Sequence, residues 1–344
     1  MKALLLTAPS QLAYVDLPDP EPAADEVLLR VRACGICGSD LHGWDGASGR
    51  RRPPLIMGHE AVAEIAAVGP AVRGWTAGER VTFDSTVWCG TCARCRAGDI
   101  NLCLHRRVVG VSPGEYRQHG AFAELLALPA RILHRVPGGL TDAQAVFVEP
   151  TSIAVHAVRR AAVADDTAAV VVGAGMIGLL VIQALRWAGA RQVIAIDLAA
   201  DRLELALRLG ATQALRADAA DVPGEVARLT GGQGADVCLE AVGIGPTVNL
   251  ALATLRAGGR AVLVGNLAPV TADFPLQRVV TRELTITGTC GSAGEYPLCL
   301  DLLGRGVIRT EPLVSAVAPL REGAEWFQRL SRPGGGQLKV ILVP

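Results

Sequence analysis

The 344-residue chain has no net charge and no run of basic residues. Its 33 lysines and arginines balance its 33 aspartates and glutamates, which leaves a formal net charge of zero. Binding to nucleic acid or to an anionic membrane depends on clustered positive charge. We therefore predict no nucleic-acid partner and no membrane partner.

Long hydrophobic stretches are also missing, although half of the residues are hydrophobic. The most apolar run, Ala168 to Ile182, is shorter than the roughly 20 residues that a membrane helix needs. The first residues, MKALLLTAPS, contain one lysine and too short an apolar stretch for the core of a signal peptide. We expect a cytoplasmic protein, and 344 residues suit two domains better than one.

The pattern of apolar residues changes after Glu149-Pro150. Before this point, stretches such as VLLRVRACG, EAVAEIAAVG and RVTF alternate with turn residues, which predicts a β-rich domain with irregular loops. After it, apolar strands alternate with helical segments, which predicts a parallel, doubly wound sheet with right-handed crossovers. Within this part, TVNLALATLRAG (247–258) is predicted as a helix and RAVLVGNL (260–267) as the next strand.

The end of the chain combines two helical segments with a closing strand, QLKVILVP. We therefore predict an α/β protein in which the chain leaves its first domain and later returns to it. The predicted boundaries are 1–150 for the β-rich domain, with a separate lobe at about 86–105, then 151–288 for a nucleotide-binding domain and 289–344 for the return.

Gly173, Gly175 and Gly178 form a G-x-G-x-x-G motif between an apolar strand and a helix. In this context the first glycine makes a tight turn, the second lets the backbone approach a pyrophosphate, and the third lets strand and helix pack closely. Asp197 ends the next strand, where it would accept hydrogen bonds from the adenosine ribose and repel a 2′-phosphate, which favours NAD over NADP. Arg202 either covers the adenine or is a solvated helix residue. The alternative to a cofactor site is that the turn contains glycine for steric reasons alone and that Asp197 caps the end of its strand.

Nine cysteines in a chain whose thiols stay reduced indicate metal binding more than disulfides. Four of them form one cluster, Cys89-x2-Cys92-x2-Cys95-x7-Cys103. Four thiolates can enclose a tetrahedral zinc ion with no open position, which is typical of a structural site. The alternative is an iron–sulfur or redox cluster, but the ferredoxin motif has its fourth cysteine three residues on, followed by proline. Here the gap is seven residues and Leu104 follows.

A second set of metal-binding residue types is dispersed along the chain. Cys37 lies in GICGSD, His59 and Glu60 lie in GHE, and Glu149 precedes a proline. A thiolate, an imidazole and a carboxylate make a three-ligand site whose fourth position is open, which is the geometry of catalytic zinc. Taken singly, each has a simpler interpretation: His59 as an interior histidine, Cys37 as a small core residue, and Glu60 as the partner of an arginine.

Together these motifs resemble the zinc-containing medium-chain dehydrogenase/reductase family, within the alcohol dehydrogenase superfamily, over essentially the whole chain. The resemblance is carried by GICGSDLH (35–42), GHE (58–60), the four-cysteine lobe, EP followed by AVHA (149–157), and GAGMIG (173–178). It implies a GroES-like catalytic domain split around a Rossmann domain, with the active site in the cleft between them. It also implies NAD and two zinc ions per chain as cofactors, and a homo-oligomer, a tetramer or a dimer, built through the nucleotide domain. Ile177 and Gly265 are further candidate cofactor contacts.

Carried over by position, the resemblance makes Cys37 and His59 ligands of the catalytic zinc. Glu60 and Glu149 would supply or exchange the third ligand, as in the polyol and threonine dehydrogenase branch. The liver-type alcohol dehydrogenases have a cysteine at the position of Glu149, so the chain is less similar to them.

Ser39 and His42 match the proton relay of the family. In the implied reaction, zinc lowers the pKa of the alcohol, which passes a hydride to the nicotinamide. Ser39 takes the hydroxyl proton and His42 hands it to solvent, a step that suits a pKa near neutrality. The rival from another class is a non-catalytic NAD-binding or sensing protein on the same fold, and the intact set of site residues argues against it.

The predicted substrate is a secondary alcohol with an adjacent hydroxyl group, such as a polyol, a sugar alcohol or a vicinal diol, which is oxidised to a ketone. Carboxylate ligands and an aromatic content of only 4% favour a hydroxylated substrate over a hydrophobic one. HGWDG (42–46) is similar to the sorbitol dehydrogenases, but Gly291-Ser292 stands where that branch has Arg and Tyr. The alternative is a threonine-type amino-alcohol dehydrogenase.

The missing Arg and Tyr leave room for a bulkier, cyclic or phosphorylated polyol. Arg50, Arg51 and Arg52 would contact the phosphate near the entrance of the pocket, unless this run is simply solvated. Trp44 would either form one wall of the pocket or pack in the core.

Overall fold

The computed structural model describes residues 1–111, 118–267, 273–332 and 336–344. These residues form two compact units. The first consists of Met1–Glu149, Ser292–Arg305 and Thr310–Pro344, and the second of Pro150–Gly291 and Gly306–Arg309. The short segment before Thr310 belongs to the second unit because the Arg309 amide donates to the Gln183 side chain there.

The described residues contain eighteen β-strands. In chain order they are β1 (Lys2–Ala8), β2 (Gln11–Asp16), β3 (Glu26–Gly35), β4 (Leu55–Ile56), β5 (Glu60–Val68), β6 (Arg80–Phe83), β7 (Thr86–Val87), β8 (Arg107–Val108), β9 (Leu125–Pro129), β10 (Leu133–Arg135), β11 (Ala168–Val172), β12 (Gln192–Asp197), β13 (Gln213–Arg216), β14 (Ala235–Glu240), β15 (Leu255–Leu263), β16 (Thr285–Gly288), β17 (Val314–Pro319) and β18 (Lys339–Val343).

Eleven α-helices connect these strands within the described residues. They are α1 (Gly38–Trp44), α2 (Ala93–Arg96), α3 (Asp142–Ala145), α4 (Val148–Ala161), α5 (Met176–Trp187), α6 (Ala200–Arg208), α7 (Val222–Leu229), α8 (Gly245–Thr254), α9 (Leu276–Thr281), α10 (Tyr296–Gly304) and α11 (Gly323–Leu330). Short 3-10 helices cover Ile100–Leu102, Ala130–Ile132, Glu311–Leu313 and Leu320–Glu322.

The first unit is built around β3, which pairs with β5, β9 and β18 in a seven-stranded sheet. Its alternating pattern buries one face, because successive side chains of a strand point to opposite sides. The pairing with β18 is antiparallel and places Ile341 opposite Gly35, so the last strand of the chain lies against one of the first.

The second unit is a six-stranded parallel sheet in the order β13-β12-β11-β14-β15-β16. The central strand β11 is buried along its whole length, as expected for a parallel strand covered on both faces. Strand order reverses on either side of β11, and ligands of such sheets bind at the carboxyl ends of the strands at this point. The predicted α/β fold class, with a β-rich part and a doubly wound parallel sheet, is confirmed.

One predicted boundary between a helix and a strand is wrong. The residues 255–258 were predicted as the end of a helix, but α8 ends at Thr254 and β15 begins at Leu255. The backbone of Leu255 pairs with Ala235 in β14, and its side chain is buried in the core of the second unit. The sheet pairing therefore overrides the helical pattern of the sequence.

Across the described part of the chain, no helix has both the length and the apolar character that crossing a membrane requires.

Candidate metal centres and cofactor site

The four clustered cysteines converge in the lobe between β7 and β8. Their sulfur atoms all lie within 4.8 Å of one another, and two of the separations, Cys89 to Cys95 and Cys92 to Cys103, are 3.9 Å. A tetrahedron with metal–sulfur bonds of about 2.3 Å has edges of about 3.8 Å. The spacing of the sulfurs therefore fits a zinc ion with four thiolate ligands.

The hydrogen bonds of the lobe also favour thiolates. The Cys89 sulfur accepts from the amides of Thr91 and Cys92, each at 3.4 Å. The Thr91 hydroxyl, followed by these two amides, lowers the pKa of the Cys89 thiol to about 5. Desolvation, with the thiols of Cys92 and Cys103, raises the pKa of Cys95 to about 12. The pKa values of Cys89 and Cys95 are thus shifted in opposite directions. A bound cation would stabilise the thiolate form of all four cysteines, including Cys95.

The dispersed residues meet because of a strand register. In the antiparallel pair of β3 and β5, Gly35 lies opposite Glu60. Cys37, two residues after Gly35, therefore comes next to His59, one residue before Glu60. One ligand atom each of Cys37, His59 and Glu60 lies within 4.8 Å of the others. Gly58 enters this turn at φ +94°, and a Cβ there would lie 2.9 Å from the Phe122 ring.

Helix α1 fixes the thiol at its start. Cys37 is the N-cap residue, and its sulfur accepts from the Ser39 amide at 3.4 Å. The Asp40 carboxylate accepts from the Cys37 amide at 3.2 Å, which completes a capping box. This cap orients the sulfur towards the imidazole and carboxylate that the strand register brings in.

Asp40 and Arg51 support this site, and neither was predicted to do so. Asp40 is fully buried, with Oδ1 3.5 Å from Nδ1 of His59 and 3.0 Å from Nη2 of Arg51. A carboxylate on the far nitrogen is the arrangement that orients a metal-binding histidine. The cap spacing C-x-x-D was the only sequence signal for Asp40.

Negative charge accumulates at this site. Burial disfavours a charged imidazole, but the charges of Asp40 and Cys37 outweigh burial and raise the pKa of His59 well above its usual value. Burial, together with the carboxylate of Glu60, raises the pKa of Glu149 to about 7. A divalent cation would relieve this excess and keep His59 neutral as a ligand. The donor set therefore fits a zinc ion in a three-ligand site.

Glu149 and Glu60 are held by different partners. The Glu149 carboxylate, in the first turn of α4, accepts from the Ser85 hydroxyl at 3.0 Å, and Glu149 is not part of the three-residue group. Glu60 instead pairs with Lys339 in β18. Burial opposes the charged ammonium, but Glu60 and Cys37 outweigh it and raise the pKa of Lys339. Ser85 and Lys339 were both missed by sequence reasoning, since neither belongs to a motif.

Ser39 and His42, the predicted relay, are both exposed on α1. The Ser39 hydroxyl lies 3.3 Å from the Cys37 sulfur and 3.5 Å from Nε2 of His59, and it accepts from Arg51 at 3.1 Å. It is therefore in contact with two candidate ligands. His42 lies three residues further along the same helix.

Two suggestions about the pocket are corrected by the structure. Arg51 is only 5% exposed and binds Asp40, so it does not line an entrance for a phosphate group. Trp44 is buried in the core of the first unit, with its ring centroid 5.6 Å from that of Phe327. Of the two interpretations of Trp44, the structure agrees with packing in the core.

The glycine-rich turn has the geometry that its motif requires. Gly173 has φ +94°, and a Cβ on Gly178 would lie 1.8 Å from the Gly173 carbonyl oxygen. Gly175 is exposed at the N-cap of α5, and a Cβ there would meet nothing within 4 Å. The turn therefore leaves open space above the helix N-terminus, where a pyrophosphate would bind.

Asp197 is fixed beside this turn. Its two carboxylate oxygens accept from the amides of Ala174 at 2.6 Å and Ala199 at 2.9 Å. Each oxygen keeps a further lone pair for a ribose hydroxyl. Two further candidate cofactor contacts, Arg202 on α6 and Ile177 on α5, are both partly exposed.

Gly265, the remaining candidate contact, has a packing role. A Cβ on it would lie 2.2 Å from the Gly243 amide nitrogen. Its own amide donates to the Glu240 carbonyl at 2.9 Å, which extends the end of β14.

Two family profiles match this chain, one in each half of the sequence. The profile "Alcohol dehydrogenase GroES-like domain" matches residues 23–138, and "Zinc-binding dehydrogenase" matches residues 177–305. The sorbitol dehydrogenase of Bacillus subtilis (strain 168) is 32% identical over 351 residues, which cover 100% of this chain and 97% of that protein.

Solved structures are similar over the whole chain. Alcohol dehydrogenase TADH from Thermus sp. ATN1 has a TM-score of 0.92 at 33% identity, covering 100% of this chain and 99% of its own. A chain from Sinorhizobium meliloti 1021, solved bound to NADP, has a TM-score of 0.92 at 30% identity, with 100% and 99% coverage.

The two family profiles and the sorbitol dehydrogenase relative show that the chain belongs to the zinc-containing medium-chain dehydrogenases. Within the family it falls in the polyol branch. It is a zinc-dependent alcohol dehydrogenase with NAD(P) and zinc as cofactors.

Proposed function

We propose that this enzyme oxidises a secondary alcohol that carries an adjacent hydroxyl group, with NAD as the hydride acceptor. The observation that carries the proposal is the group of Cys37, His59 and Glu60, a ligand set with three protein donors. Three protein ligands leave a coordination position for substrate, whereas the four-cysteine lobe leaves none.

Two zinc ions per chain follow from these two donor sets, one catalytic and one structural. Zinc in an open site acts as a Lewis acid that lowers the pKa of a bound hydroxyl. Asp40, with Oδ1 3.5 Å from Nδ1 of His59, is placed to orient the imidazole. Ser39, in contact with two of the ligands, is placed to take the hydroxyl proton, and the exposed His42 is placed to pass it to solvent.

The substrate class is supported by the polarity of the site. Glu60, itself a candidate ligand, and Glu149 are both buried at the site. The side chains of Ser85 and Ser39 add hydroxyl groups. Such a surround binds a second hydroxyl group of the substrate better than it binds a hydrocarbon. The sorbitol dehydrogenase relative acts, by its name, on a polyol, which points to the same class.

Steady-state kinetics with a panel of alcohols and NAD tests the substrate class. We expect the highest kcat/KM for a polyol or vicinal diol, because its second hydroxyl can form a further hydrogen bond with the polar groups of the site, which a simple alcohol cannot. The panel contains sugar alcohols, cyclic polyols, a polyol phosphate, butanediol, ethanol, benzyl alcohol and threonine. A clear preference for ethanol, benzyl alcohol or threonine would contradict the assignment, and a preference for the phosphate ester would narrow it.

The preference for NAD is supported by Asp197 and by the residue beside it. Strand pairing places Arg216 next to Asp197, where a free guanidinium would suit a 2′-phosphate. Arg216 instead donates from Nε and Nη2 to the two carboxylate oxygens of Asp218, at 2.9 and 2.5 Å. With Arg216 already paired, we expect the Asp197 carboxylate to be the charge that faces the ribose.

Replacing Asp197 with serine should relax the preference for NAD. Like charges placed together cost several kcal/mol, and about 1.4 kcal/mol corresponds to a tenfold change. We expect the ratio of kcat/KM for NAD to that for NADP to be about 100 or more in the unaltered enzyme, and to fall by at least about tenfold in Asp197→Ser. Asp201→Ser, which removes an exposed carboxylate from the first turn of α6, is the matched control. Equal efficiency with both cofactors in the unaltered enzyme would refute the assignment.

A homo-oligomer, a tetramer or a dimer, built through the second unit is also part of the proposal. Within the described residues, β16 pairs with β15 alone and ends the parallel sheet. Leu276 and Val280 on the preceding helix α9 are 64% and 65% exposed. An unpaired strand edge beside exposed apolar side chains is a surface that suits association.

We further propose a cytoplasmic location. All nine cysteines are free thiols, and eight of them are either buried or part of a candidate ligand set, with Cys290 as the exception. Thiolate ligands require a compartment that keeps cysteines reduced.

A further inference from the structure

Lysine is almost absent from this chain. Of the 33 basic residues, only Lys2 and Lys339 are lysines. Lys2 forms an exposed ion pair with Asp16 at 2.6 Å. Lys339 is only 2% exposed and pairs with Glu60, which is 1% exposed. Lys339, the buried one of the two lysines, therefore forms its ion pair with a candidate metal ligand.

The ammonium of Lys339 ties together two parts of the site. It donates to Oε2 of Glu60 and, at 3.1 Å, to the carbonyl oxygen of Ile36, the residue before Cys37. The space for this pair depends on Gly35, because a Cβ there would lie 2.5 Å from Oε2 of Glu60 and 3.1 Å from Cδ of Lys339. The lysine, the glycine and the carboxylate thus form one closely fitted arrangement beside the ligands.

Stability alone gives little reason for this ion pair. Taking two charges out of water costs free energy, and apolar residues of similar size are often at least as stable in such a place. The bond does have a consequence at the metal site. The ammonium holds Oε2 towards Lys339 and neutralises part of its negative charge, which makes Oε1 the better metal-binding oxygen of Glu60.

We propose that Lys339 is a positioning residue that limits Glu60 to single-oxygen contact with the catalytic metal. The fourth coordination position then stays available to the substrate. This inference rests on the proposed catalytic site at Cys37, His59 and Glu60.

The test is the visible spectrum of the cobalt(II)-substituted full-length enzyme, because the intensity of cobalt d–d bands falls as the coordination number rises. The spectrum of a Cys37→Ser variant prepared in the same way, with cobalt in the four-cysteine site alone, is subtracted to remove the contribution of that site. We expect Lys339→Met to lose band intensity, since both oxygens of Glu60 can then bind the metal. We also expect kcat/KM of the zinc enzyme to fall by about 10–100-fold, the usual effect of losing an outer partner of a ligand.

Two further variants separate positioning from general packing. Lys339→Met combined with Glu60→Gln should regain the spectrum of the Glu60→Gln single variant, because an amide does not bind as a two-oxygen carboxylate. Lys2→Met, which removes the exposed lysine, should leave the spectrum and kcat/KM unchanged. Should Lys339→Met not fold, Lys339→Gln takes its place, because it keeps a polar group in the buried position but has no charge and a shorter reach: weaker bands support the proposal, and unchanged bands overturn it.

The outcomes distinguish this inference from the proposed function. If the subtracted spectrum of the unaltered enzyme shows no cobalt bands, no metal is bound at Cys37 and the proposed catalytic site itself is wrong. If bands are present and a folded Lys339→Met variant has the same bands, the positioning role is wrong and the catalytic site stands.

Discussion

Cys37→Ser is expected to abolish turnover while leaving the fold intact. The substitution removes a thiolate from a three-ligand site, and serine is a poor replacement because its hydroxyl stays protonated near neutral pH. The N-cap of α1 survives, since serine caps helices well. NADH formation, zinc content and thermal unfolding measured on the same preparation check all three expectations. We expect zinc to fall from two to one per chain, with the melting temperature little changed.

Cys92→Ser is the matched comparison, because it removes one ligand of the closed set. Structural zinc contributes directly to folding free energy, so this variant should lose stability or assembly instead of losing turnover alone. Cys290→Ser, at an exposed cysteine, should change neither. Iron in the purified protein, or a single zinc per chain in fully active enzyme, would refute the assignment of two zinc sites.

Ser39→Ala is expected to lower kcat by about 10²–10⁴, the usual contribution of a positioned acid–base group. The Ser39 hydroxyl is the group that contacts both the Cys37 sulfur and the His59 imidazole, so its loss interrupts proton transfer at the first step. Zinc content should stay unchanged, because serine supplies none of the candidate ligands. Pre-steady-state and steady-state rates of NADH formation measure the effect.

His42→Ala should have a milder effect than Ser39→Ala. His42 is exposed on α1, so water can take over the last proton transfer to solvent. Wild-type turnover in Ser39→Ala with full zinc content would show that Ser39 is a loop residue without a role in the relay. An effect of Ser39→Ala that came only from zinc loss would place its role in supporting Cys37.

Features formed by neighbouring residues could be predicted from the sequence. The four cysteines are separated by two, two and seven residues, so a single loop brings their sulfurs together. The turn at Gly173 is equally local, because its positive φ and its contact with Gly178 arise within six residues. The alternation of strands and helices after residue 150 predicted the parallel sheet for the same reason.

The open site could be predicted only through a resemblance, because its residues are distant in sequence. No periodicity shows that Gly35 pairs with Glu60, yet this register is what places Cys37 beside His59. The sequence also does not indicate that Arg51 is buried against Asp40 while the arginines on either side of it are exposed. Burial of a charged residue depends on which partner the fold brings to it.

The sequence by itself therefore determined the α/β fold class, the four-cysteine cluster and the glycine-rich turn, and it named the candidate residues of the dispersed site. Only the tertiary structure decided which partner holds each carboxylate: Ser85 for Glu149, and Lys339, 279 residues away, for Glu60. The physical reason is that a short sequence motif reflects only the contacts that form within one loop or turn. Contacts between strands depend on pairing register and on the close approach that Gly35 permits, which arise only when the last strand of the chain packs against β3.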